Sequence, residues 1–222
     1  MKKQYPFEGT LTNIPLEPSK SSRYPFMVEF TGTPEAGKTT CILEVKRRLE
    51  KQKFKVSFVS ESAEHIPDDI YPKGSFEAHL TMRLTTVMSI IETSLKDKCD
   101  ILLIDRGIVD GIFFTRKFIE DNPKWTKECN GLISMLDSFD FLLPNISLIF
   151  YCSVDEVLRR RGGEGRLVTR EFIENYNKLL QETTFSPYIV RYKMDTTNRT
   201  PAQIADKATI VINSEYKKRS RT

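Results

Sequence analysis

The chain has 222 residues, enough to bury a sizeable core within one large domain. Its 34 Lys+Arg against 30 Asp+Glu leave +4, too mild a balance to argue for a nucleic-acid binder by charge alone. A 39% apolar and 29% charged composition excludes collagen-like, disulfide-knot and wholly disordered classes.

Cys41, Cys99, Cys129 and Cys152 are scattered without a CxxC pair and accompany two histidines, which argues against a disulfide framework or zinc cluster. No apolar run approaches 18 residues, and Met1 to Pro6 lack the apolar core of a signal peptide, so a cytoplasmic protein without membrane association is expected.

Residues 1–23, with Pro6, Gly9, Pro15, Pro18 and the stretch Ser19-Lys20-Ser21-Ser22, read as an extended or mobile lead-in. Phe26 to Phe30 is a buried strand ending in the turn Thr31-Gly32, followed by a helix with Ile42, Val45 and Leu49 at helical spacing. Phe54 to Val59 is a second strand. A long helix then carries Phe76, Leu80, Leu84, Val87, Ile91 and Leu95 as one apolar stripe. Ile101 to Ile104 is a third strand, and residues 107–142 read as helical with a break at Pro123. Ser147 to Cys152 is a fourth strand, leading through the capping box Ser153-Val154-Asp155-Glu156 into a helix. A further helix covers Thr169 to Gln181, a fifth strand Ile189 to Met194, and Thr200-Pro201-Ala202-Gln203 opens a last helix. Apolar strands alternating with amphipathic helices imply a parallel sheet covered on both faces: one α/β domain over residues 24–213, with a basic tail over 214–222.

The first strand runs into Gly32-Thr33-Pro34-Glu35-Ala36-Gly37-Lys38-Thr39, the G-x-x-x-x-G-K-T pattern of a Walker A loop. Glycines let the backbone turn and bring amides to phosphate, a lysine reaches the terminal phosphates, and a hydroxyl holds Mg²⁺. Gly32, Thr33, Pro34, Glu35, Ala36, Gly37, Lys38, Thr39 and Thr40 are the expected ATP-binding residues, with the helix dipole behind them.

Asp105, at the end of the third strand, is placed to share Mg²⁺ with Thr39, and Arg106 beside it offers a fixed charge to phosphate. Glu61, just past the second strand, is the preferred general base for an acceptor hydroxyl, with Glu64 as the alternative. Arg159, Arg160, Arg161 and Arg166 surround Gly162, Gly163 and Gly165. They read as a closing lid, in which Arg159, Arg161 and Arg166 neutralise phosphoryl charge. His65 and His79 receive no chemistry. Trp125, Phe113, Phe114 and Phe118 are assigned to a core or a homodimer face.

The order of these features resembles the P-loop nucleoside and nucleotide kinases, the group of thymidylate and deoxynucleoside kinases. Four stretches carry it: the Walker A loop, Glu61, Asp105-Arg106-Gly107, and Ile146 to Arg159 leading into the arginine lid. After Glu61 there is neither the Pro-Gly-Gly of the first group nor the Pro and Trp of the second. Glu61-Ser62-Ala63-Glu64 and Asp105-Arg106-Gly107 followed by Asp110 look closer to a branch holding the ribosylnicotinamide kinase domains of NAD-salvage regulators. The resemblance implies a P-loop three-layer sandwich with a five-stranded parallel sheet and lid. It implies an enzyme using ATP and Mg²⁺ to phosphorylate a nucleoside, nucleotide or similar small acceptor, with Arg106 facing the acceptor. Arg83, beside the stripe of the long helix, would border that acceptor. The competing readings are a nucleotide-sensing ATP-binding module and a 5′-hydroxyl nucleic-acid end kinase; the mild charge disfavours the latter.

Overall fold

The first strand, β1 (Phe26–Gly32), is buried along its whole length, as a central strand covered on both faces requires. The computed structural model describes residues 24–61, 74–165, 168–182 and 189–219, so the expected lead-in over 1–23 lies outside the described residues. After β1 come α1 (Lys38–Lys51), β2 (Val56–Val59), α2 (Phe76–Lys96) and β3 (Ile101–Asp105). α3 (Ile108–Asp121) ends just before Pro123, which opens a single 3₁₀ turn ahead of α4 (Thr126–Asp137). β4 (Ile146–Tyr151), α5 (Val154–Arg161), α6 (Arg170–Glu182), β5 (Val190–Asp195) and α7 (Pro201–Arg219) complete the chain. Residues 214–219 thus continue the last helix, and within them buried Glu215 accepts a bond from Tyr192 Oη at 2.6 Å.

The sheet has five parallel strands in the order β2-β3-β1-β4-β5. Side-chain alternation divides its interior into two cores. Phe26, Val28 and Phe30 of β1 join α1 and α7 on one face. Met27 joins α2, α3 and α4 on the other. The same alternation turns Glu29 and Thr31 toward α3, which decides the electrostatics of the site. α6 crosses between the faces, with Ile173 in the first core and Tyr176 and Leu180 in the second.

The helix starts follow the expected chemistry. Ser153 Oγ accepts from Glu156 N, and Thr200 and Gln203 exchange reciprocal bonds, Gln203 N to Thr200 Oγ1 at 3.3 Å and Thr200 N to Gln203 Oε1 at 2.9 Å.

The stripe expected on α2 is corrected. Leu84 and Leu95 face outward, while the buried face carries Ala78, His79, Arg83, Thr86, Val87, Ile90 and Ser94. That face packs against α3 and the edge strand β2, and His79 bonds Thr115 of α3 at 2.9 Å.

Candidate active site

The phosphate loop begins where β1 can no longer carry a side chain. Gly32 has φ 131°, and a Cβ there would lie 1.9 Å from Phe150 O of β4, so only glycine allows the turn. Thr33 N donates to Phe150 O at 3.0 Å, and Gly37 in the left-handed region leads directly into α1. Lys38, buried, donates through Nζ to Gly32 O at 3.1 Å and Thr33 O at 2.9 Å, so its ammonium sits inside the loop's own carbonyls. Burial and the nearby Arg106 charge pull its pKa down to about 7. A polyphosphate would reverse that pull.

Thr39 Oγ1 donates to Asp105 Oδ2 at 2.7 Å. Asp105 Oδ1 is buried and takes no hydrogen bond among the described residues, which leaves this carboxylate a spare acceptor oxygen. A hydroxyl and a carboxylate with a spare oxygen are the donor set of a Mg²⁺ shared with nucleotide phosphates and water. Burial raises the Asp105 carboxyl, against the Thr39 hydrogen bond and the Lys38 charge.

Arg106 adopts φ 58°, a left-handed conformation that a long side chain rarely takes, and its N–H is held by Phe30 O at 3.1 Å. That turn aims the guanidinium into the site. Nε lies 3.0 Å from Glu61 Oε1, Nη1 lies 3.2 Å from Asp110 Oδ2, and the plane sits 5.2 Å from the Phe114 ring centroid. Burial disfavours the charge, but Asp110 and Glu61 outweigh burial and hold Arg106 cationic. Burial raises the Glu61 carboxyl, with Arg106 opposing, in the direction a general base needs. Glu64 lies outside the described residues.

Two carboxylates to which the sequence assigned no role, Glu29 and the Asp110 of the third-strand motif, hold this corner together. Glu29, fully buried on β1, accepts Asp110 N at 2.7 Å and Val109 N at 3.0 Å, so it caps the start of α3 from inside the sheet. Gly107 makes room for it, since a Cβ there would sit 2.8 Å from Glu29 Oε2. Burial pushes the Glu29 carboxyl up to about 8, against those two amides. Asp110, also fully buried, accepts from Thr31 Oγ1, from Gly32 N at 3.2 Å and from Tyr176 Oη at 3.2 Å, besides Arg106. Tyr176 is followed on α6 by Asn177, whose Oδ1 accepts from Thr33 Oγ1 at 2.5 Å while its Nδ2 donates to Cys152 O at 3.0 Å.

Two clefts meet at the phosphate loop and share Glu35, Gly37 and Thr40. The larger, about 650 Å³, is lined by the polar and charged Lys38, Thr39, Glu61 and Arg106 and by the rings of His79, Phe114, Phe118 and Phe172. Here the expectation is corrected: Phe114 and Phe118 line a ligand-sized cleft, whereas Phe113 is core and Trp125 stacks on Phe76. They were misassigned because α3 turns one aromatic face to the core and another to the cleft. His79 stacks on Phe118 at 4.7 Å, and burial lowers its pKa to about 4, so it is neutral at pH 7. Arg83 is buried beneath the cleft, 5.9 Å from the Phe114 ring centroid, and donates to Met82 Sδ at 2.9 Å.

The smaller cleft, about 370 Å³, is lined by Glu156, Arg159, Arg160, Thr196, Arg199 and Pro201. Arg160, not counted among the expected catalytic residues, clamps the loop to β5 by donating to Glu35 O at 3.2 Å and Thr196 O at 2.8 Å. Arg159 is exposed and paired with Glu156 at 2.7 Å. Arg161 Nη1 lies 3.7 Å from Glu35 Oε1. Arg166 lies outside the described residues.

Residues 27–195, from the second residue of β1 to the last of β5, match a family model described as an AAA domain. Among solved structures, a thymidylate kinase from Candida albicans is similar with a TM-score of 0.62 at 17% identity, over 87% of this chain and 94% of that one. A deoxyadenosine kinase from M. mycoides, solved with bound dATP, is similar with a TM-score of 0.60 at 16% identity, over 84% and 99%. No curated protein matches in sequence. No helix of the described residues is long and apolar enough to cross a membrane. The match from β1 to β5 places this chain in the AAA domain family, on the fold it shares with those two kinases.

Proposed function

We propose that this chain is an ATP- and Mg²⁺-dependent phosphotransferase acting on a nucleoside, nucleotide or similarly small acceptor. The observation that carries this reading is the pair of clefts joined at one phosphate loop. A nucleotide sensor needs only the smaller cleft and the loop, whereas transfer needs a second chamber with its own charged groups. That two solved structures of similar fold are kinases supports the same reading.

In this reading ATP lays its nucleoside in the smaller cleft, beside Thr196 and Pro201, and its phosphates over Gly32 to Thr40. Lys38 leaves the loop carbonyls for the terminal phosphates. Thr39 and Asp105 would hold Mg²⁺, which when bound neutralises phosphate charge. The acceptor occupies the larger cleft, its flat part against Phe114, Phe118 and Phe172 and its reacting oxygen at the Glu61–Arg106 pair. Glu61 removes the proton of a hydroxyl acceptor, and Arg106 neutralises charge on the acceptor side. Arg161, beside Glu35, and Arg166 act as lid arginines over the transferred group, while Arg159 contributes from the nucleoside side.

The test is an ATP-consumption screen over nucleosides, nucleoside monophosphates, ribosylnicotinamide and 5′-hydroxyl oligonucleotides. A small acceptor should stimulate turnover at least about 10²-fold over water. ATP binding with no stimulation by any of them overturns transfer in favour of a sensor. Stimulation by oligonucleotides alone overturns the small acceptor.

A further inference from the structure

We propose that Asp110 is the positioning residue of this site, one carboxylate against which the nucleotide loop and the acceptor-side arginine are set in register. The proposal rests on the phosphotransferase reading and adds to it a residue that touches neither substrate.

Both oxygens of Asp110 are engaged. Oδ1 accepts from Thr31 Oγ1 and from the Gly32 amide at 3.2 Å, the two residues through which β1 becomes the phosphate loop. Arg106 Nη1 straddles the carboxylate, 3.2 Å from Oδ2 and 3.3 Å from Oδ1. The donor side and the acceptor side of the reaction therefore meet on one side chain. Tyr176 Oη adds α6 to the same Oδ1 at 3.2 Å, and the next residue, Asn177, holds Thr33 of the loop.

The carboxylate is itself fixed. Its amide donates to Glu29 Oε1 at 2.7 Å, so its height above the sheet is set by β1, the strand that also launches the loop. Asp110 is fully buried, and although burial raises its pKa, Arg106 and Lys38 outweigh that and hold it ionised.

A buried ion pair kept for stability alone is a poor device, because desolvation offsets most of its attraction. Alignment is a better reason for this one. Phosphoryl transfer gains nearly all its rate from in-line placement and charge, and a shift of about 1 Å costs roughly 10²-fold. Arg106 sits in a disfavoured backbone conformation on a loop beyond β3, so it needs an anchor on the donor side.

Asp110→Asn weakens the arginine side selectively, because Oδ1 remains to accept Thr31 and Gly32 while the negative charge is lost and an amide NH₂ replaces Oδ2 against the guanidinium. Three quantities are measured on the full chain: kcat for the stimulating acceptor, affinity for a fluorescent ATP analogue, and Tm. The same quantities are measured for Arg106→Ala and for the double variant. The expected result is a kcat lower by about 10²-fold with ATP affinity within about 3-fold, and a double variant no slower than Arg106→Ala. A kcat within 3-fold of the parent overturns the proposal and leaves the phosphotransferase reading standing. Equal losses of ATP affinity and kcat, or effects that multiply in the double variant, also overturn it, since both mark a structural acid.

If Asp110→Asn does not fold, Tyr176→Phe is used. It removes one donor from Oδ1 and keeps the ring among Phe113, Phe114 and Phe172. It should lower kcat several-fold in the parent and not at all in Arg106→Ala; an equal loss in both overturns the proposal. A parent protein that transfers phosphate to no acceptor and hydrolyses no ATP overturns both readings.

Discussion

The two clefts that share the phosphate loop are built on opposite principles. At the larger, Arg106 and, behind it, Asp105 and Asp110 are buried, come from the end of β3 and the start of α3, and are held by hydrogen bonds and by one another. In the smaller, Arg159 and Glu156 belong to one helical surface and pair locally, three residues apart. Buried groups in a rigid frame are already arranged for charge that develops in a transition state. Exposed, locally paired arginines hold little energy in place and are free to move. The difference teaches which side is built for chemistry and which for holding and releasing a nucleotide.

The comparison is tested first where both clefts depend on one atom. Lys38→Ala removes the ammonium from the centre of the loop, and transfer should fall by at least about 10³-fold with the circular-dichroism spectrum unchanged. Retained activity would break the assignment of the loop as the shared phosphate site.

Glu61→Gln tests the larger cleft alone. With a hydroxyl acceptor kcat should drop about 10²-fold, while the KM for ATP changes little. The pH profile carries the sign. A base must be ionised, and burial raises Glu61 above its ordinary value, so activity should rise with pH across a limb displaced upward from about 4.3. The glutamine variant should lose that limb. A rate unchanged by the substitution moves the role away from Glu61 and favours a phosphate acceptor, which brings no such proton.

Arg160→Ala addresses the smaller cleft. Its guanidinium joins Glu35 O to Thr196 O, so its loss should raise the KM for ATP about 10-fold by freeing the loop from β5, with kcat and the acceptor KM within about 3-fold. A fall in kcat instead would place Arg160 on the transferred phosphate.

How much of this was legible in the sequence follows the same division. Phosphate-loop residues announce themselves because glycine is required where a Cβ would strike Phe150 O, and the lysine and threonine stand at fixed spacing from it. Asp105 and Arg106 were legible because a strand end is visible in the apolar pattern. Glu29 was hidden inside that pattern: an acid within an apolar strand has no local signal, and its partners lie about eighty residues away at Val109 and Asp110. Asp110 drew notice only through a likeness of short motifs, never through its contacts. The polar inner face of α2 was misread because Leu84 and Leu95 share helical spacing with Val87 and Ile91, and periodicity cannot say which of two stripes meets the core. Phe114 and Phe118 show the same ambiguity, since an aromatic that packs and an aromatic that lines a cleft have the same sequence.

The smallest expected effect sharpens the comparison most finely. Arg159 is 72% exposed, and its bonds run to Glu156 on its own helix at 2.7 Å. As a solvent-screened surface pair it contributes little to stability. Arg159→Ala should therefore leave Tm within a few degrees. Whether it also leaves the chemistry alone depends on motion. If the arginine stays on the nucleoside side, kcat should remain within about 3-fold and the KM for ATP should rise slightly. If α5 swings Arg159 over the transferred phosphate during turnover, kcat should fall toward 10²-fold with Tm still unchanged. Steady-state kinetics and a thermal melt on this one variant decide whether the exposed cleft only holds ATP or joins the buried one in the reaction.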